Sequence, residues 1–291
     1  MIKVQKNLKC FRSGDGDEHR EIGKALIQQA NSLIHLKLNY VMEFFLPLNI
    51  FSKFNNLQRL ELSNFDEDHL LEEQLEFSTF PKLEVLKVGS ISLGVAIKII
   101  EKTKGNLLRV QLGCTVYEKE YSGRYLRAIY KNCPKIKILS LGVNEDDFKE
   151  FENLLIKCQK IQILIISRFG ILAQPEYRRS KPVLKILARS SPKALRDIRF
   201  TIYWRTLAND LELFCENWKG RVPISLHFSY FHIISYDELD YFAENCLGIL
   251  KKYKRDGVIK DYGYTGDDYN DYTYSDDYSF YFEGCCDQMK Y

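Results

Sequence analysis

A six-residue frame, L-x-x-L-x-L with other aliphatics admitted, recurs along most of this chain and constrains its fold more than any other feature. It reads Leu33/Leu36/Leu38, Leu57/Leu60/Leu62, Leu83/Leu86/Val88, Leu107/Val110/Leu112, Ile136/Leu139/Leu141, Ile161/Leu164/Ile166 and Leu195/Ile198/Phe200. A degraded copy stands at Pro223/Leu226/Phe228, and Leu8/Phe11 reads as a worn first one. From Leu33 to Pro223, successive first positions lie 24, 26, 24, 29, 25, 34 and 28 residues apart. Residues two apart on a strand share a face, so each frame puts two aliphatic side chains on one side of a short strand. One strand cannot hide that face. Parallel stacking on its neighbours can, at roughly 1.5–3 kcal/mol for each fully buried apolar side chain.

Segments of helical periodicity separate the frames. "LGVAIKIIEKTKG" ends at Gly105, a helix stop, and "DDFKEFENLLIKC" opens with Asp146 and Asp147, suited to a helix start. The second places Phe148, Phe151, Leu154, Leu155 and Cys158 on one face. Similar patterns cover 20–30, 69–77, 122–132, 207–217 and 236–252. The expected class is α/β: a single curved solenoid of about seven to nine strand–helix repeats, with a parallel sheet on its concave face. Residues 1–31 form a cap or partial repeat, and 32–255 form the repeat domain with a C-terminal cap helix. Residues 256–291 read as a disordered acidic tail of alternating Asp and Tyr, able in principle to strap a basic concave face.

The chain resembles the leucine-rich repeat proteins of the ribonuclease-inhibitor-like and cysteine-containing types, on the frames above and over roughly residues 8–250. Within them it is most similar to the repeat region of fungal F-box proteins. The resemblance implies protein recognition without catalysis, as a substrate receptor in ubiquitin ligation whose F-box docks on the ligase adaptor. Two departures qualify it. The Asn or Cys that such families carry three positions after the last anchor survives only as Asn144; the others are Val41, Phe65, Ile91, Thr115, Phe169, Tyr203 and Phe231. No F-box is legible in the first 32 residues, so a stand-alone adaptor is the alternative.

Cysteine usage also points to structure. Eight cysteines in 291 residues are too dilute for a disulfide scaffold, and reduced thiols suit a cytoplasmic or nuclear protein. Cys133 and Cys158 each lie three residues before a first anchor, where other copies hold Ala30, Phe54 and Phe80, with Lys104 as the exception. A position that accepts Ala, Phe or Cys selects for burial rather than sulfur chemistry. Prolines recur beside it in Pro81-Lys82, Pro134-Lys135 and Pro192-Lys193, closing one helix and leading into the next strand.

No phosphate loop, nucleophile elbow or H-E-x-x-H occurs, the five histidines are scattered, and Cys285-Cys286 is a lone vicinal pair. No enzyme activity, cofactor or metal is therefore expected, and no apolar run is long enough to span a membrane. An enzyme would need a cluster of titratable groups in one place. From Asp256 onward there are nine acidic and two basic residues, which leaves a net charge of +10 on the rest. A basic-surface nucleic-acid-associated protein is a further alternative, and it would need that excess in one continuous stripe with interleaved aromatics.

The strand positions facing away from the helices carry the functional expectation. Between the first and second anchors stand His35, Arg59, Val85, Arg109, Ile138, Ile163, Asp197 and Ser225. Between the second and third stand Lys37, Glu61, Lys87, Gln111, Ser140, Ile165, Arg199 and His227. Ile138, Ile163 and Ile165 are expected to form an exposed apolar patch for a protein partner, with Arg59, Val85, Lys87, Arg109 and Arg199 around it.

Overall fold

The structure, a computed structural model, describes residues 7–13, 20–39, 49–63, 68–113, 119–167, 180–201, 206–230 and 236–266. Two compact units divide the chain: residues 1–117 fall in one and 118–268 in the other. Both are built of parallel strands alternating with helices, an α/β strand–helix repeat architecture.

In the first unit the order is β1 (Cys10–Arg12), α1 (Arg20–Gln28), β2 (His35–Asn39), a 3-10 turn (Ile50–Lys53) and β3 (Arg59–Ser63). It continues with α2 (Asp68–Leu75), β4 (Val85–Gly89), α3 (Leu93–Glu101) and β5 (Arg109–Leu112). Strands β1 to β5 pair in chain order, all parallel. The register is the one the frames dictate: Leu36, Leu60, Leu86 and Val110 stand side by side, each fully buried. The worn first copy is a real strand, since Phe11 pairs with Leu36.

A repeating pair of hydrogen bonds sets this register. At the start of β2 the amides of Ile34 and His35 both donate to the Lys9 carbonyl; Gln58 and Arg59 share Ile34, Glu84 and Val85 share Gln58, and Leu108 and Arg109 share Glu84. Asparagines reinforce it one repeat apart: Asn56 Nδ2 donates to the Asn31 carbonyl at 2.8 Å, and Asn106 Nδ2 to that of Pro81 at 2.9 Å. Helix α3 begins where the Ser92 hydroxyl accepts from the Val95 amide, and the chain leaves it through Gly105 at φ 72°, a left-handed conformation suited to glycine.

The second unit runs α4 (Lys119–Asn132), β6 (Ile138–Gly142), a 3-10 turn (Glu145–Asp147), α5 (Phe148–Lys157), β7 (Ile163–Ser167) and α6 (Lys181–Ser190). It ends with β8 (Asp197–Thr201), α7 (Ala208–Trp218), β9 (Ile224–Tyr230), α8 (Tyr236–Arg255) and β10 (Ile259–Gly266). Strands β6 to β10 are again parallel and in chain order. The shared-carbonyl device recurs, with Gln162 and Ile163 on Lys137 and Arg196 and Asp197 on Gln162.

The seam positions are buried as the frames require: Ala30, Phe54, Phe80, Cys133 and Cys158 are each at most 5% exposed. Burial pushes the Cys133 thiol far above its ordinary value and that of Cys158 up to about 11, so both are inert fillers.

Three expectations need correction. Asp147 does not cap α5 with its side chain; its carboxylate accepts from the Ser122 hydroxyl at 2.6 Å instead. Helix α6 has no counterpart among the expected helices, although Pro182 in its first turn and buried Val183, Leu184, Ile186 and Leu187 mark it. Finally, Ile259–Gly266, assigned from sequence to the disordered tail, is strand β10 on the edge of β9. Gly257 turns the chain out of α8 at φ 72°, and Val258 and Ile259 are buried. The rest of the expected tail, 267–291, lies outside the described residues, as do Val41, Phe65, Thr115, Phe169, Tyr203, Phe231, Cys285 and Cys286.

Candidate interaction face

Alternation along each strand turns the anchors inward and sends the residues between them to the opposite face. In the first unit that face carries two rows in strict register: Cys10, His35, Arg59, Val85 and Arg109, then Arg12, Lys37, Glu61, Lys87 and Gln111. Five cations, Arg12, Lys37, Arg59, Lys87 and Arg109, accompany one carboxylate, and no Phe, Tyr or Trp stands in either row.

Glu61 sits at the centre and is only 6% exposed. Its Oε1 accepts from His35 Nε2 at 3.0 Å and from Arg59 Nε. Burial alone would push its carboxyl up. The His35 hydrogen bond and the charges of Arg59 and Lys87 outweigh that and hold it at about 2. On the far side of the imidazole, His35 Nδ1 lies 3.3 Å from Cys10 Sγ. At the other end of the rows, Arg109 is 8% exposed, and its Nε and the Gln111 Oε1 find no hydrogen-bond partner among the described residues. Val85 and Lys87 are half-buried between these groups.

The second unit presents Ile138, Ile163, Asp197 and Ser225 in one row and Ser140, Ile165, Arg199 and His227 in the other, as the frames require. The expected exposure is absent. Ile163 and Ile165 are 5% and 3% exposed, and only Ile138 is half-buried. Register neighbours about 4.8 Å away crowd an aliphatic side chain on a central strand from both sides. Here Ile163 stands between Ile138 and Asp197, and Ile165 between Ser140 and Arg199.

Arg199 folds back on its own strand, donating to the Asp197 carboxylate through Nη2 at 2.9 Å and Nε at 3.2 Å. It is tied to this internal pair rather than held out toward solvent. His227 reaches Asp197 at 3.9 Å, and burial holds its imidazole below the ordinary value despite that carboxylate. Its ring lies against β10, where a Cβ on Gly263 would come within 2.7 Å of Nδ1 and force the ring to shift.

Of the residues singled out from sequence, Arg59, Val85, Lys87 and Arg109 thus share one face of the first unit. Ile138, Ile163, Ile165 and Arg199 share one face of the second. The sequence reading missed the chain of contacts Cys10–His35–Glu61, whose members come from three repeats. No local motif links them; the signal was their shared outward position in successive frames. Among the described residues no group of three or more His, Cys, Asp or Glu is arranged to hold a metal ion. Nor is any described helix long and apolar enough to cross a membrane.

No protein-family model and no curated protein matches the chain.

Two outcomes follow from this geometry. Ile165→Asp should destabilise the second unit by about 3 kcal/mol or more in urea unfolding, because it buries a carboxylate on a crowded strand. An unchanged unfolding midpoint would show that Ile165 is open to water. Glu61 should make folding acid-sensitive. Its folded value lies below the ordinary 4.5, so its contribution is present above that pH and is lost as pH falls toward about 2. Between pH 5 and pH 2 the protein should lose up to about 3 kcal/mol relative to Glu61→Gln, with a resolvable drop below about pH 4. Parallel stability curves for the two proteins would contradict this.

Proposed function

We propose that the chain is a protein-recognition scaffold and that the helix-free face of its first unit binds an acidic segment of a partner protein. The observation that supports this best is the row end at β5. Arg109 is nine-tenths buried, yet its Nε has no hydrogen-bond partner among the described residues. A buried polar group left unsatisfied costs about 1–3 kcal/mol, more when charged. A carboxylate arriving from a partner would remove the cost at Arg109, since guanidinium and carboxylate match in geometry. The surrounding charge favours the same ligand: five cations against one carboxylate that is already engaged by His35 and Arg59.

Phosphate would satisfy the same cations, so a nucleic acid is the competing occupant. Binding of single strands draws on aromatic platforms for base stacking. The two rows of this face hold no Phe, Tyr or Trp, and the His35 ring is engaged by Glu61 and Cys10, which favours protein over nucleic acid. Within the protein reading, the resemblance to F-box repeat regions suggests a substrate receptor for a ubiquitin ligase; a free-standing adaptor is the alternative.

The experiment is affinity purification with the whole chain, comparing the native sequence with Lys37→Glu/Lys87→Glu. The captured protein should carry an acidic segment, bind more weakly as salt is raised, and lose at least tenfold in affinity to the double variant. Recovery of a ligase adaptor alongside it would support the ubiquitin reading. Capture that is insensitive to both charge reversal and salt, or capture of RNA or DNA alone, would overturn the proposal.

A further inference from the structure

The contacts around His35 have a chemical consequence that does not depend on partner binding. Cys10, His35 and Glu61 lie on three successive strands and form one relay: Cys10 Sγ to His35 Nδ1 at 3.3 Å, and His35 Nε2 to Glu61 Oε1 at 3.0 Å. The protonation pattern follows from Glu61. Its carboxyl is ionised at any pH well above about 2, and an ionised carboxylate can only accept. Nε2 must therefore carry the hydrogen. In the neutral ring that leaves Nδ1 as an acceptor, aimed at the Cys10 thiol. A nucleophile within reach of a base, with the base oriented by a third group, is the arrangement that activates a thiol for attack.

The face that carries the relay is cationic as well. Arg12 and Lys37 share the face with Cys10 and His35, with Arg59 and Lys87 on the two strands beyond, and Glu61 is the one acid in these rows. Cys10 is also the one exposed thiol among the described cysteines; Cys133, Cys158, Cys215 and Cys246 are buried. Burial pushes Cys158 and Cys246 up to about 11 and Cys215 up to about 12. The relay cannot double as a metal site, because the thiol and the carboxylate lie on opposite nitrogens of one imidazole and do not converge.

We propose that Cys10 is a base-activated nucleophile that forms mixed disulfides with low-molecular-weight disulfides. The Cys10 thiol passes its proton to His35 Nδ1, and the imidazolium formed is held by Glu61. The thiolate attacks one sulfur of the disulfide; the new S–S bond forms as the old one breaks. The departing thiolate takes the proton from His35 and leaves as a thiol. Cys10 is oxidised and the departing half is reduced, so the small disulfide is the only oxidant required. The attachment places a bulky group at the edge of the cationic face.

The test treats the reduced full-length protein with a dipyridyl disulfide at pH 6 and follows each cysteine by peptide mass spectrometry. Cys10 in the folded chain should react about tenfold or more faster than Cys10 in the urea-unfolded chain at the same pH. His35→Ala should abolish that advantage, and Glu61→Gln should reduce it. Equal rates at Cys10 in folded and unfolded chains would overturn the proposal, as would a folded His35→Ala variant that reacts as fast as the native protein. Should circular dichroism show either variant unfolded, the folded-to-unfolded comparison in the native sequence decides alone.

Discussion

The structure depends on a backbone lock that recurs at the starts of β2 to β5, β7 and β8. Two successive amides at the start of a strand donate to a single carbonyl one repeat earlier, at Lys9, Ile34, Gln58 and Glu84 in the first unit and at Lys137 and Gln162 in the second. A slip of one residue would turn every anchor to the wrong face, so the lock and the buried Leu36–Leu60–Leu86–Val110 row enforce each other. Function inherits this constraint. Whatever stands between the anchors is delivered, repeat after repeat, into straight rows on the opposite face.

Those rows are not a generic polar surface. In the first unit a nearly buried Glu61 gathers His35 and Arg59 around it, and neutralises part of a face that would otherwise repel itself. The same carboxylate fixes the hydrogen of His35 on Nε2 and so leaves Nδ1 open to Cys10. One buried acid thus organises both the charge of the face and the chemistry at its edge. In the second unit the equivalent rows close on themselves: Asp197 and Arg199 pair within one strand beside the buried Ile163 and Ile165.

Register was legible in the sequence and burial on the outward face was not. The spacing of Leu33, Leu57 and Leu83 is local information, and it placed His35 beside Arg59 and Arg59 beside Val85 correctly. Whether Ile165 meets water is decided by what crowds it from strands far away in sequence, and spacing carries no such term. Strand β10 escaped notice for a related reason. An edge strand pairs through its backbone on one side only, so a stretch with few aliphatics suffices once Val258 and Ile259 are buried at its start. Helix α6 lies within the widest gap between frames, from Ile161 to Leu195, which hid its period despite Pro182. The Cys10–His35–Glu61 relay was invisible because motif reading looks for short spacings, and these residues are 25 and 26 positions apart.

Hydroxyl-radical footprinting of the full-length protein, with and without a captured partner, tests the proposed docking most directly. Docking on the first unit predicts that oxidation falls at His35, Val85, Lys87 and Gln111 when the partner is bound. Phe77, which is 73% exposed and lies in the turn after α2, should react equally in both states. Unchanged oxidation across the two rows, with protection appearing only elsewhere, would contradict the assignment of this face as the binding surface.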